Sequence, residues 1–216
     1  MSVSVIFDMD GTLVDNAKYH QQAFDMLCDR YERPRIQVHN FMGQTNHFIM
    51  GQIFRQKLTK EETQLYAAEK EANYRELFGK EIKPVEGLME WLETLSENNI
   101  PMAMATSAPK ENVDFVLDRL FLRKYFAHIV DESMIEHGKP HPEIFLKAAQ
   151  VLSAAPENCV VFEDALFGVE AGKKSRHARG CLRHNLYRQR TKRARVCARL
   201  DRSQFYRNNN RHVIGN

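Results

Sequence analysis

Two carboxylates spaced one residue apart at the end of a short apolar run constrain this chain more than any other feature. The segment V-I-F-D-M-D-G-T-L-V-D (5–15) opens with Val5, Ile6 and Phe7, an apolar run ended by turn residues, as in a buried parallel strand. Asp8 and Asp10 then fall at the carboxyl end of that strand, where open α/β sheets hold their ligands. Alternation along an extended backbone puts Asp8 and Asp10 on one side, with Met9 turned away. Two crowded acids repel unless a cation or a shared proton stabilises them, so the pair points to Mg²⁺ and phosphate chemistry. Standing alone, it reads first as an acidic strand-end turn.

Three further segments give the pair a context. A-M-A-T-S-A (103–108) is an apolar strand ending in the hydroxyls of Thr106 and Ser107. G-K-P-H-P-E-I-F (138–145) places Lys139 just before a proline-opened helix. C-V-V-F-E-D (159–164) is another buried strand, ending in Glu163 and Asp164. Each segment ends in a different chemical tool: nucleophile, hydroxyl donor, cation, metal-binding carboxylate.

With these four motifs in this order, the chain over roughly 1–174 resembles the haloacid dehalogenase superfamily, in its β-phosphoglucomutase-like branch of phosphatases and phosphomutases. The resemblance implies an α/β fold, a Rossmann-like parallel-sheet core with an inserted helical cap. It implies that Asp8 attacks phosphorus and forms an aspartyl-phosphate, that Asp10 serves as acid and base, that Thr106 contacts the phosphoryl group, and that Lys139 balances charge. Mg²⁺ would be held by Asp8, the backbone carbonyl of Asp10, and Asp164, with Glu163 beside them. The presence of Asp10 argues for phosphoryl transfer, because a departing halide needs no proton.

The same resemblance divides the chain into a core (1–15 and 84–174) and a cap (16–83). In the cap, H-Q-Q-A-F-D-M-L (20–27) and the run 60–78, rich in Glu, Ala, Lys, Leu and Tyr, read as amphipathic helices. Residues 86–98 begin a core helix, with Leu88, Trp91, Leu92 and Leu95 at helical spacing and Trp91 a packing residue. Substrate contacts in the cap match the mutases in part: His20 in A-K-Y-H to orient a hydroxyl or couple to Asp10, and Lys70 in E-K-E-A-N-Y to meet a sugar phosphate. Asn46, in G-Q-T-N-H (43–47), stands where the mutases carry an arginine for a second phosphate, and an amide brings no charge. Ala108-Pro109-Lys110 departs likewise, with Lys110 shifted by one position from the family's phosphate contact. Both departures favour a phosphatase for a small phosphate ester, a sugar phosphate, over a mutase.

Composition breaks after Lys174. Of 31 Lys and Arg, 14 fall in 173–216, against one of 28 acids, Asp201. A basic arm for nucleic acid and a disordered tail are two readings of 175–216. The third, adopted here, is a shifted reading frame. If six adenines encoded Lys173-Lys174, one more would turn the family's Ala-Gly-Met continuation into Ser-Arg-His, and with compatible codons the alternative frame can read as two apolar strands. The sheet is then expected to lack its last strands, with 178–216 poorly packed. Nucleic acid is not an expected partner.

No apolar run suits a membrane span, and no signal peptide precedes Phe7. Cys28 and Cys159 read as buried small hydrophobes, Cys181 and Cys197 fall in the tail, and a reducing, cytoplasmic setting follows. A monomer is expected. The nine histidines are read as forming no H-x-x-x-H metal pair, and His137 and His141, flanking Lys139, as loop residues.

Overall fold

A computed structural model describes residues 3–176 and the backbone of Ala178–Arg179. Five parallel strands form one sheet: β1 (Ser4–Phe7), β2 (Met102–Ala105), β3 (His128–Val130), β4 (Cys159–Phe162) and β5 (Ala178–Arg179), in the order β3-β2-β1-β4-β5. The strand carrying the acidic pair is therefore central. β1 pairs with β2 on one side, Ile6 opposite Ala103, and with β4 on the other, Ile6 opposite Val161. All four residues of β1 and of β2 are buried, as parallel strands covered on both faces require. Phe7 stacks on Phe162 at 5.0 Å between centroids and meets Phe126 edge-on. Burying one such ring stabilises the fold by about 1.5–3 kcal/mol.

Beyond β4 the sheet continues, among the described residues, only through the two residues of β5. The remaining expectations for the basic tail lie outside the described residues.

Among the described residues seven α-helices accompany the sheet: α1 (Ala17–Arg30), α2 (Asn46–Phe54), α3 (Lys60–Phe78), α4 (Leu88–Glu97), α5 (Lys110–Arg119), α6 (Glu143–Val151) and α7 (Leu166–Lys174). Helix α3 has the bounds its composition predicts. It starts at a reciprocal cap: the Thr59 hydroxyl accepts from Glu62 N–H at 3.1 Å, and the Glu62 carboxylate accepts from Thr59 N–H at 2.8 Å, a device that satisfies two otherwise orphaned donors. Its buried stripe is Thr63, Lys70, Glu71, Tyr74 and Phe78, so an ion pair occupies a packing face. Helices α1, α2 and α3 share an apolar cluster of their own, including Phe24, Leu27, Ile49, Ile53 and Phe54. Tyr19, Ala23, Tyr74 and Phe78 of α1 and α3 instead join the cluster around Val5, Phe7 and Met104. Trp91 packs against that second cluster, and Cys28 and Cys159 are buried and free. Helix α2 and strand β3 have no counterpart in the sequence reading; three residues in β3 are too few for alternation to register.

Candidate active site

Backbone hydrogen bonds extend the ladder past the strand ends and fix where the polar residues stand. Asp8 N–H donates to Phe162 O at 2.9 Å, and Thr106 N–H donates to Val130 O at 3.0 Å. Asp8, Thr106, Glu163 and Asp164 consequently gather at the carboxyl ends of the strands, where open α/β sheets hold their ligands. Lys139 reaches them from the loop before α6. Its ammonium is fully buried and donates to Asp8 Oδ1 and to Glu163 Oε2, both at 2.6 Å.

Three carboxylates face this one lysine. Ligand atoms of Asp8, Glu163 and Asp164 all lie within 4.8 Å of one another. Burial, then the charge of Glu163, raises the Asp8 carboxyl well above the ordinary range against the pull of Lys139. Burial and Glu163 likewise push Asp164 up to about 7. Burial works against the charge on Lys139, but Asp8 and Glu163 outweigh it and raise its proton affinity. The cluster carries more negative charge than Lys139 offsets, and Asp164 Oδ1 is buried with no hydrogen-bond partner. A divalent cation fits that donor set: hard oxygens, excess charge, and an orphaned oxygen. The side chain of Asp10 is outside this group.

Two glycines make room for the cluster. A Cβ on Gly11, whose φ is +81°, would stand 2.1 Å from Asp164 Oδ2, and one on Gly168 would stand 2.1 Å from Glu163 Oε2.

Asp10 lines the same cleft as Asp8 and enters a buried chain of hydrogen bonds. Its Oδ1 accepts from Asn16 Nδ2 at 2.6 Å and lies 3.6 Å from His20 Nε2. His20 stacks on Tyr74, whose hydroxyl accepts a second bond from Asn16 at 2.7 Å. Burial opposes ionisation of Asp10, but His20, Asn16 and the charge of Lys70 outweigh it and hold its carboxyl below the usual value. Lys70 Nζ donates to His20 Nδ1 at 2.8 Å. An ammonium has no acceptor, so His20 Nδ1 carries a lone pair and Nε2 carries the proton that faces Asp10.

The lysine is neutralised where it stands. Glu71 Oε1 accepts from Lys70 at 2.8 Å and from Asn46 Nδ2 at 2.7 Å, while its Oε2 accepts from Asn112 Nδ2 of α5 at 2.7 Å. Asp8, Asp10, His20, Asn46, Lys70, Glu71, Thr106 and Ser107 line one cleft, with Phe24, Phe41 and Ile49 as its apolar wall. Among the described lining residues, Lys70 is the only Lys or Arg. Lys110 is exposed on α5 and paired with Asp114. Ser107 donates to Gly43 O at 2.9 Å, tying the end of β2 to the loop before α2.

The family profile described as haloacid dehalogenase-like hydrolase matches residues 4–176. This chain belongs to that family. The match ends two residues past Lys174, where the composition changes. As a haloacid dehalogenase-like hydrolase, the chain is 32% identical over 174 residues to a phosphorylated carbohydrates phosphatase of Thermotoga maritima, covering 80% of this chain and 81% of the relative. It is 31% identical over 182 residues to a β-phosphoglucomutase of Bacillus subtilis, covering 80% and 79%. A β-phosphoglucomutase from Clostridium difficile shares the fold, with a TM-score of 0.81 at 24% identity and full coverage of both chains. Relatives in this family include a phosphatase and a phosphomutase, and enzymes of the family generally use a divalent metal. No helix among the described residues is long and apolar enough to cross a membrane.

Of the residues the sequence singles out, Asp8, Asp10, His20, Asn46, Lys70, Thr106 and Ser107 line one cleft, Lys139, Glu163 and Asp164 gather about Asp8, and Lys110 stands apart; Asn16 and Glu71 are additions. Asn16 and Glu71 were missed because a lone amide and a helical glutamate carry no motif. The signal for Glu71 was its place beside Lys70 on the stripe that ends in Tyr74 and Phe78. The reading of the histidines needs correction. His137 and His141 stand at H-x-x-x-H spacing, and the start of α6 brings Glu143 to them, so that ligand atoms of all three lie within 4.8 Å.

Proposed function

We propose that this chain is a Mg²⁺-dependent phosphatase of a small sugar monophosphate, with residues 16–83 as a cap over a core of 1–15 and 84–174. Asp8, Asp164 and Glu163, with the backbone carbonyl of Asp10, would hold the Mg²⁺. The ion supplies charge neutralisation for the phosphate oxygens.

The protein's own groups account for the proton and bond changes. An oxygen of Asp8 attacks phosphorus, the bond from phosphorus to the ester oxygen breaks, and Asp10 hands its proton to that departing oxygen. Water then attacks the aspartyl-phosphate, gives its proton to Asp10, and the Asp8 carboxylate leaves. Asp10 is ionised in the resting site; the negative phosphate beside it raises its proton affinity, which suits a group that must give and then take a proton. Thr106 and Ser107 donate to phosphoryl oxygens, and Lys139 offsets the charge shared by Asp8 and the phosphate.

One observation carries the choice of phosphatase over mutase: Lys70, the sole lysine or arginine among the described residues of the cleft wall, is already committed to Glu71 and His20. A mutase must hold a second phosphate while the first moves, and a neutralised lysine beside Asn46 grips such a dianion weakly. Phosphorus NMR of β-glucose 1-phosphate with Mg²⁺, a trace of the 1,6-bisphosphate and the enzyme tests this. Release of inorganic phosphate, absent in Asp8→Asn, is expected. Conversion to glucose 6-phosphate would establish the mutase instead.

A further inference from the structure

Outside the cleft, a second set of ligand atoms converges around the segment that carries Lys139. The Nδ1 atom of His137 lies 3.1 Å from Glu143 Oε2, and that of His141 lies 3.9 Å from the same oxygen. The two rings are 4.6 Å apart between centroids and tilted by 36°. We propose that His137, His141 and Glu143 form a surface site for a borderline divalent transition ion of the Zn²⁺, Co²⁺ or Ni²⁺ kind, separate from the buried carboxylates.

The geometry suits one ion touching all three side chains. Tetrahedral Zn²⁺ with nitrogen and oxygen ligands at about 2.0–2.2 Å sets those ligands roughly 3.3 Å apart, and the two separations from Oε2 lie on either side of that. Glu143 is held for the task by its other contacts. Its Oε1 accepts from Glu136 N–H at 3.0 Å and lies 2.8 Å from Lys147 Nζ, while its Oε2 accepts from His137 N–H at 2.9 Å and faces both imidazoles. The bond to Lys147 and those backbone donors bring its carboxyl down to about 2, so it is an anion at any working pH. The His137 and His141 side chains are 62% and 51% exposed, open to an ion arriving from solvent.

Binding exchanges little that the protein already has. The ion takes the place of the proton between His137 Nδ1 and Glu143 Oε2, which leaves to solvent, and of a 3.3 Å bond from Glu143 N–H to His141 Nδ1. Hardness keeps the two sites distinct: imidazoles favour borderline ions, whereas an all-oxygen set favours Mg²⁺. The bound ion would fasten both flanks of Lys139 to the first turn of α6. None of this depends on the phosphatase reading.

The test uses the full chain in saturating Mg²⁺, which fills the carboxylate site. Calorimetric titration with Zn²⁺ should show the wild type binding one equivalent more, at micromolar affinity, than a His137→Ala/His141→Ala variant, and Asp164→Asn should keep that equivalent. Equal stoichiometry in wild type and the double variant, or loss of the equivalent in Asp164→Asn, would overturn the site. Long-range ¹H–¹⁵N spectra of the unsubstituted protein answer independently: Zn²⁺ should move the ring nitrogens of His137 and His141 and leave those of His20 in place. Static His137 and His141 resonances would count against the proposal.

Discussion

Glu163 lies across the face of Gly168 with its carboxylate where a Cβ would be, 2.1 Å from the ideal position. The first turn of α7 thus sets the position of the carboxylate that pins Lys139. Gly168→Ala would drive Glu163 off and break the 2.6 Å bond to Lys139. A buried methyl forced into a packed site costs about 1–3 kcal/mol, so a lowered Tm is expected together with loss of most phosphate release. Ala in place of Gly172, which meets nothing closer than 4.0 Å, is the matched control and should retain activity.

The charge beside Lys70 can be changed by a single isosteric substitution. Glu71→Gln keeps an acceptor for Lys70 and removes the negative charge beside it. A hydrogen bond to an unpaired charged group is worth roughly 1.5–3 kcal/mol, so a sugar bisphosphate should inhibit the variant about tenfold more strongly relative to a monophosphate. Inhibition constants for both ligands, in both proteins, measure that ratio; an unchanged ratio would show that Glu71 does not screen Lys70.

The carboxylate cluster predicts how stability depends on pH. Asp164 binds its proton more tightly folded, at about 7, than at the ordinary 3.8, and Asp8 is shifted in the same direction. Groups raised in this way bind more protons in the folded state, so stability falls as pH climbs from about 4 through 7. Metal-free protein should melt a few degrees lower at pH 8 than at pH 5.5, and Mg²⁺ should remove most of the difference. Thermal unfolding in EDTA and in Mg²⁺ at both pH values would reveal a flat metal-free profile if the cluster were not protonated.

Asp10 offers a kinetic check of the proton transfers. Asp10→Asn keeps an acceptor for Asn16 and His20 but cannot exchange a proton, so kcat should fall by about 10²–10⁴ with little change in KM. A leaving group of low pKa, such as 4-nitrophenolate, should recover part of the loss in the first step.

The chemistry of the core was legible because strand ends expose it: Asp8, Thr106, Glu163 and Asp164 each follow an apolar run that a reader can recognise. Lys139 was legible through the prolines around it. The segment 16–83 was less so. Lys70 could be placed on a helix, yet its partners come from Glu71, one residue on, and from His20, fifty residues earlier, and only packing brings that last pair together. Helix α2 and strand β3 were invisible for a related reason. They are short, and their positions are set by the neighbours they cover.

The strand order has a consequence for how the protein is made. β1 leaves the ribosome first, but one neighbour, β2, begins at Met102 and the other, β4, at Cys159. At bacterial or eukaryotic elongation rates of about 5–20 residues per second, the strand that carries Asp8 waits several seconds without a partner on either edge. The helices of 17–78 emerge in that interval and can fold among themselves, shielding Phe7 and its neighbours from other nascent chains. The carboxylate set around Lys139 can be complete only after Glu163 and Asp164 have left the exit tunnel.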